Sequence, residues 1–286
     1  MLDIGISFNK RWCGGDAFYK ILSDIGYKAI DLDCCNTEKE IYYTAPVDEA
    51  IAYAKEERKK LAELGMYVNQ VHGPWKYPPC DATVEDREVL FGKCVRAIIA
   101  THFLGAKYMV MHPLMPFGAE TMPPEKKLEN YLISKEFFRR LAGPAKDYGV
   151  VVCIENMPMK GYGIAKPTEV AELVNDINDE NIKMCLDTGH AVLLDNVNLA
   201  EEIYACGDII KTLHIHDNKG VLDDHTYPYF GIIDWKSVMK ALGDIGYCGV
   251  VNLETDNPTK LPPELQAEVY TLYFHIAEYL AKQIEG

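Results

Sequence analysis

Acidic and imidazole side chains recur in this sequence directly after short apolar runs. Glu155 follows VVVCI, Asp187 follows MCL with His190 three residues later, and His214 ends the run IIKTL. Carboxylates and neutral imidazoles are ligands for Zn²⁺, Mn²⁺, Co²⁺ or Mg²⁺. No thiolate stands at these positions, which argues against a structural zinc site. The pattern therefore predicts a site for a divalent cation.

The same arrangement occurs elsewhere along the chain. His72 ends the run YVNQV, His112 follows YMVM, and Glu254 follows GVVNL. A later loop adds Asp223 and His225, whose spacing lets both side chains turn the same way in an extended segment. Any one histidine could instead be a core residue bonded to backbone, but the set as a whole favours a shared site.

The sequence does not assign three other polar residues to this site. We expect His216 to face away from His214 unless a bulge intervenes. Asp31 and Asp33 end an apolar run of their own, but they could equally cap the following turn. Nothing in the sequence ties them to the metal.

Strand and helix signals alternate along the whole chain. Apolar strand-like runs are followed eight times by helical stretches, several of which end at glycine, such as Gly26 and Gly65. Eight such units close a (β/α)₈ barrel. A doubly wound sheet is the competing architecture, but no G-x-G-x-x-G follows the first strand. We predict an α/β fold, a single-domain (β/α)₈ barrel over residues 1–286, with the polar strand ends at one mouth.

The composition disfavours several classes of protein. With 29 Lys and Arg against 43 Asp and Glu, the net charge is −14, which makes a nucleic-acid partner unlikely. Nine cysteines without a C-x-x-C pair predict reduced thiols. Nothing near Met1 resembles a signal peptide and no apolar run approaches roughly 18 residues, so we expect neither a leader nor a membrane span. We expect a cytoplasmic protein without membrane association, and a homo-oligomer is compatible with the sequence.

The motifs around these residues resemble those of the xylose-isomerase-like TIM barrels. The resemblance covers nearly the whole chain and rests on the motifs I-E-N at Glu155, L-D-T-G-H at Asp187, H-x-H-D at His214, D-D-H with G-x-I-D-W after Asp223, and L-E-T at Glu254. That superfamily groups sugar and sugar-phosphate isomerases and 3-epimerases with AP endonucleases of the endonuclease IV type.

The epimerase branch implies a ligand set and a reaction. Its Glu, Asp, His, Glu metal ligands map onto Glu155, Asp187, His214 and Glu254. The two glutamates act there as the acid/base pair, so the resemblance implies proton transfer at a carbon next to a carbonyl. The expected activity is a metal-dependent isomerase or epimerase of a sugar, sugar phosphate or related polyol.

The endonuclease branch implies a different use of the same mouth. Its three zinc ions take further ligands, and the matching residues here are His72, His112, His190, Asp223 and His225. The ligand pattern therefore does not separate an epimerase from an endonuclease acting on abasic DNA, but the negative charge favours a small carbohydrate. We favour one principal metal, with the additional residues as substrate or outer contacts. A metabolite-binding barrel without turnover is a further alternative, against which the intact ligand set argues.

Loop residues offer surfaces for a substrate. Lys160 and Lys219 could hold a hydroxyl or phosphate group, although an ordinary surface position is the competing interpretation and no phosphate cradle is evident. The loop aromatics on which a sugar could pack are Phe8, Trp12, Trp75, Tyr77, Tyr227 and Tyr229.

Overall fold

The computed structural model describes residues 1–8, 15–33, 38–76, 79–119, 122–258 and 260–286. Trp12 and Tyr77 lie outside these ranges. The described strands are β1 (Ile4–Phe8), β2 (Ala29–Asp33), β3 (Tyr67–His72), β4 (Tyr108–Met111), β5 (Val151–Glu155), β6 (Ile182–Asp187), β7 (Ile210–His214) and β8 (Val251–Leu253).

All eight strands belong to one sheet, in the order β7-β6-β5-β4-β3-β2-β1-β8. Each named pair is parallel. Ile215, directly after β7, forms a parallel bridge with Leu253 of β8, which joins the two ends of the sheet. The predicted (β/α)₈ barrel is confirmed.

Helices connect the strands and cover the outside of the barrel. They are α1 (Ala17–Ile25), α2 (Ile41–Thr44), α3 (Val47–Glu63), α4 (Val84–Leu104), α5 (Pro124–Asp147), α6 (Pro167–Ile177), α7 (Thr188–Val192), α8 (Leu199–Cys206), α9 (Trp235–Asp244) and α10 (Pro263–Ile284). The short helices α2 and α7 are additions to the eight predicted crossovers. Helix α7 begins directly after β6 and carries His190.

Local sequence explains where these elements start and stop. Thr83 and Asp86 form a capping box at the start of α4, and Gly105 ends that helix in a left-handed conformation. In β5, Val152, Cys153 and Ile154 are all fully buried, as expected for a parallel strand covered on both faces. Because the strands run parallel, their last residues meet at one end of the barrel.

Several helices of the described ranges are as long as a membrane span, but they are less apolar than one. None of them is both long enough and apolar enough to cross a bilayer.

Candidate metal centre

The residues singled out in the sequence lie at the C-terminal mouth of the barrel. Glu155, Asp187 and His214 are the last residues of β5, β6 and β7, and Glu254 directly follows β8. The other candidates lie at the ends of β3 and β4, in α7 and in the loop after β7: His72, His112, His190, Asp223 and His225.

Three groups of side chains at this mouth are close enough to share a cation. Within each group, one ligand atom from every residue lies within 4.8 Å of the others. The groups are Glu155, Asp187, His214 and Glu254, called here the principal group; His72, His112 and Glu155; and His190, His216, Asp223 and His225. All the sequence candidates for metal binding fall into these groups, and Glu155 belongs to two of them.

Glu155 holds the centre of the arrangement. Its Oε1 lies 2.8 Å from His214 Nδ1, which is also 3.2 Å from Glu254 Oε2. Its Oε2 is buried and makes no hydrogen bond among the described residues, although Nε2 of His112 and of His72 lie 3.2 and 3.6 Å away. A buried carboxylate oxygen without a hydrogen bond is unfavourable, and a cation between these donors would satisfy it. The donor set therefore fits a divalent ion.

Four of the histidines present one ring nitrogen to the site and bond the other elsewhere. His72, His190 and His225 each place Nδ1 at 2.8–3.0 Å from a backbone carbonyl oxygen. His214 instead contacts Asp31 through Nε2, at 2.9 Å. When the ring is neutral, an N–H donated in this way fixes the tautomer and leaves the lone pair for a cation on the other nitrogen, which here faces the carboxylates.

His216 also lies in the site, so the prediction that it faces away was wrong. Its Nε2 is 3.0 Å from Asp187, and its ring stacks on that of His225 with centroids 4.0 Å apart. Side chains alternate along a strand, so positions two apart, such as His214 and His216, share a face. Gly189 makes room for the ring, because a Cβ at that position would overlap it.

The two glutamates of the principal group differ in proton affinity. Burial raises the pKa of Glu155, but His214, His112 and His72 outweigh this effect and hold the pKa well below its usual value. Burial also raises the pKa of Glu254, whose histidine neighbours offset only part of the rise. In the metal-free protein, Glu155 is therefore the carboxylate that stays ionised, and Glu254 is the one that takes up a proton more readily.

His214 must lose a proton before it can hold an ion. Burial alone lowers the pKa of His214, but the negative groups around it, Glu254 and Glu155 among them, raise it well above its usual value. The metal-free ring is then protonated at neutral pH, with the additional proton on Nδ1. We predict that Mn²⁺ binding releases about one proton, so that the apparent affinity falls about tenfold for each pH unit below neutrality.

Isothermal titration at several pH values, in buffers of different ionisation enthalpy, measures both the affinity and the proton release. An affinity that does not change with pH would contradict the assignment of His214 as a ligand.

The donor groups open into a cavity of about 1100 Å³. Trp75 lines it, is 43% exposed and has its ring centroid 5.3 Å from that of His112. Lys160 and Lys219 are not among the residues that line the cavity, and Lys160 pairs with Asp195 at 2.8 Å. Of the loop aromatics suggested for substrate contacts, Phe8 and Trp75 line the cavity, whereas Tyr227 and Tyr229 are not among its lining residues.

Two buried polar residues that support the ligands were not predicted from the sequence. Asp31, for which the sequence offered no link to the metal site, contacts His214 of the principal group. Asn156 accepts a hydrogen bond from the Asp187 backbone N–H at 2.8 Å and donates one to the Asp187 carbonyl at 2.9 Å. A signal existed for each: Asp31 closes an apolar strand as the ligands do, and Asn156 directly follows Glu155.

Comparison with known proteins finds relatives of different kinds. The chain is 30% identical over 191 residues to an uncharacterised protein of Methanocaldococcus jannaschii, a match that covers 65% of this chain and 64% of that protein. It is 25% identical over 250 residues to a probable endonuclease 4 of Acholeplasma laidlawii, covering 80% of this chain and 81% of that protein. The chain spans less than two thirds of the length of several curated relatives that it matches, 64% and 55% in two cases.

Solved structures and a family model complete the comparison. The D-psicose 3-epimerase from Clostridium cellulolyticum H10 superimposes with a TM-score of 0.76 at 16% identity, covering 98% of this chain and 99% of that chain. At that identity the likeness shows the fold alone. The family model for the xylose isomerase-like TIM barrel matches residues 19–272. The chain therefore belongs to the xylose isomerase-like TIM barrel family.

Proposed function

We propose that this protein is a divalent-metal-dependent isomerase or epimerase of a sugar, sugar phosphate or related polyol. The observation that carries the proposal is the principal group, in which two carboxylates of opposite pKa shift lie beside a buried imidazole at a barrel mouth. Pairs of titratable groups whose environments separate their pKa values are typical of acid/base catalysis. The fold that the chain shares with a D-psicose 3-epimerase is consistent with this chemistry.

The reaction requires one group to remove a proton from a carbon next to a carbonyl and another group to return it. In the metal-free protein Glu155 ionises more readily than Glu254, so Glu155 is suited to accept the proton and Glu254 is suited to donate one. Asp187 and His214 complete the donor set. A divalent ion, when bound, supplies positive charge that stabilises the negative charge developing on the substrate oxygen.

The cavity is consistent with a small polar substrate. The described residues that line the cavity include eight carboxylates and three lysines. This excess of negative charge disfavours a polyphosphate or a duplex backbone in the absence of metal. Trp75 offers an exposed ring beside His112 on which the apolar face of a sugar can pack. Sites for small molecules commonly combine such apolar faces with a few polar groups.

Exchange of a carbon-bound proton with solvent deuterium tests the proposal even when the product is unidentified. Metal-free protein, reloaded in turn with Mn²⁺, Co²⁺, Zn²⁺ and Mg²⁺, would be incubated in D₂O with a panel of ketoses and inosose-like polyols. We expect metal-dependent deuterium incorporation, measured by NMR, for at least one compound. No exchange in any combination would count against the proposed activity.

Hydrolysis of a phosphodiester at abasic DNA is the second candidate. It is favoured by the donor groups outside the principal group, which provide more ligands than one ion can use, and by the relatives named as probable endonuclease 4. Glu155 belongs to two of the donor groups, so it would supply a ligand to each of two ions if both groups held metal. The acidic cavity lining weighs against a duplex substrate.

Anomalous scattering at the zinc and manganese edges, combined with an assay on an abasic-site duplex, separates the two candidates. Three ions, two of them held by groups that share Glu155, together with strand cleavage, would favour the hydrolase. One ion on the principal group without cleavage would favour the epimerase. An ion cluster without cleavage would mean that the number of ligands does not follow the function.

A further inference from the structure

Asp31 is the centre of a polar network inside the barrel, next to the principal group. It belongs to β2 and is 1% exposed. Its Oδ2 lies within hydrogen-bond distance of the side chains of Ser7 in β1 at 2.8 Å, Gln70 in β3 at 3.2 Å and Asn252 in β8 at 3.3 Å. The fourth contact comes from Nε2 of His214 in β7, at 2.9 Å. Residues from five strands thus meet at one carboxylate.

A buried carboxylate at this position requires an explanation. The interior of this type of barrel is normally filled by apolar side chains, and a buried charge is unfavourable unless it is paired and hydrogen-bonded. Ser7, Gln70 and Asn252 are neutral, so His214 is the only one of the four donors that can carry positive charge. A network with a purely structural role could be closed by hydroxyls and amides. The histidine contact therefore explains why the acceptor is an acid.

The contact also decides which nitrogen of His214 faces the site. A hydrogen bond from Nε2–H to Asp31 keeps a proton on Nε2 and fixes the ring plane. Nδ1 is then directed at Glu155 and Glu254, at 2.8 and 3.2 Å. Partners of this kind orient a ligating imidazole and raise its basicity.

We propose that Asp31 is a positioning residue that acts through His214 to strengthen divalent metal binding by the principal group. This inference rests on the proposed function, because it takes the principal group as a metal site. Loss of a partner of this kind typically weakens metal binding about 10- to 100-fold.

The test compares three proteins in their metal-free form: wild type, Asp31→Asn and Ser7→Ala. Asp31→Asn preserves shape and removes the negative charge, whereas Ser7→Ala removes one neutral donor from the same oxygen without altering the contact with His214. Titration with Co²⁺, followed by the visible absorption of the bound ion, gives the dissociation constant and a signature of the ligand field. We expect binding about 10- to 100-fold weaker and a changed spectrum for Asp31→Asn, with Ser7→Ala close to wild type.

A double-mutant cycle distinguishes action through His214 from a general loss of stability. In the His214→Gln background the ring is gone, so a further Asp31→Asn substitution should not weaken Co²⁺ binding again. A comparable loss of affinity in both backgrounds would overturn the proposal, and so would equal affinities of wild type and Asp31→Asn. Thermal melting of each metal-free variant accompanies the titrations and identifies losses that come from unfolding.

The result for the wild type separates this inference from the proposed function. Failure of the wild-type protein to bind Co²⁺, Mn²⁺ or Zn²⁺ would contradict the metal-dependent function and the role of Asp31 together. Normal binding by the wild type and by Asp31→Asn would leave the metal site in place and contradict only the role of Asp31.

Discussion

Glu155→Gln and Glu254→Gln should each reduce turnover by about 10²-fold or more. This is the usual size of a contribution from general acid or base catalysis. Glutamine keeps the shape of the side chain and one carbonyl acceptor but cannot carry the transferred proton. The fold should remain intact, because an amide at position 155 can donate to the imidazole nitrogens that lie 3.2 and 3.6 Å from Oε2. The rate of deuterium exchange on the substrate found in the screen measures the effect.

Glu268→Gln is the matched control for this experiment. Glu268 is an exposed residue of α10 outside the cavity lining, so its substitution makes the same chemical change without touching the site. Near-native rates for Glu155→Gln and Glu254→Gln would show that the acid/base assignment is wrong, even if both variants still bound metal. A change in melting temperature similar to that of Glu268→Gln would confirm that the lost activity does not come from unfolding.

The strand-end residues were the most predictable part of this site. An apolar run followed by a carboxylate or imidazole defines both the strand and its last residue, and parallel strands bring those residues to one edge. Local sequence patterns alone were therefore enough to predict that Glu155, Asp187 and His214 lie close together. The count of eight alternating units was sufficient to predict the barrel.

Contacts between distant segments were less predictable. Asp31 and His214 are 183 positions apart and meet only because the barrel closes, so no local pattern could pair them. Asp223 and His225 do approach each other, at 3.3 Å, but His225 has a φ of 45°, so the segment is not extended as expected. The lysines suggested for substrate binding lie in loops, where sequence gives little information on direction.

The hydrogen bonds that hold the loop carrying Asp223 were also not predictable from the sequence. Asp217 is fully buried and accepts hydrogen bonds from the Trp235 indole N–H at 2.9 Å and from the Ile233 backbone N–H at 3.2 Å. Gly231 passes so close to Asp217 that a side chain there would overlap it. These contacts explain the motif G-x-I-D-W physically: it anchors the far end of the loop that carries Asp223.

Removal of the metal by exhaustive chelation should abolish turnover and lower the melting temperature by about 5 °C. An ion that binds only the native state adds RT ln(1 + [L]/Kd), about 2.7 kcal/mol when the free ion is at 100 times its Kd, and a protein of this size loses roughly 2 °C for each kcal/mol. Without the ion, Glu155, Asp187 and Glu254 remain close together, with one ligand atom from each within 4.8 Å of the others. Differential scanning calorimetry and the exchange assay, before and after chelation and after metal is restored, measure both effects.

His214→Gln provides the control for effects of the chelator itself. This variant lacks one ligand of the principal group, so its melting temperature should already be low and should change little on chelation. A chelator-dependent shift of equal size in the variant and the wild type would place the stabilising ion elsewhere in the protein. Unchanged activity and melting of the wild type after complete metal removal would mean that the principal group works without an ion, since its four donors would then be satisfied by protons and by one another.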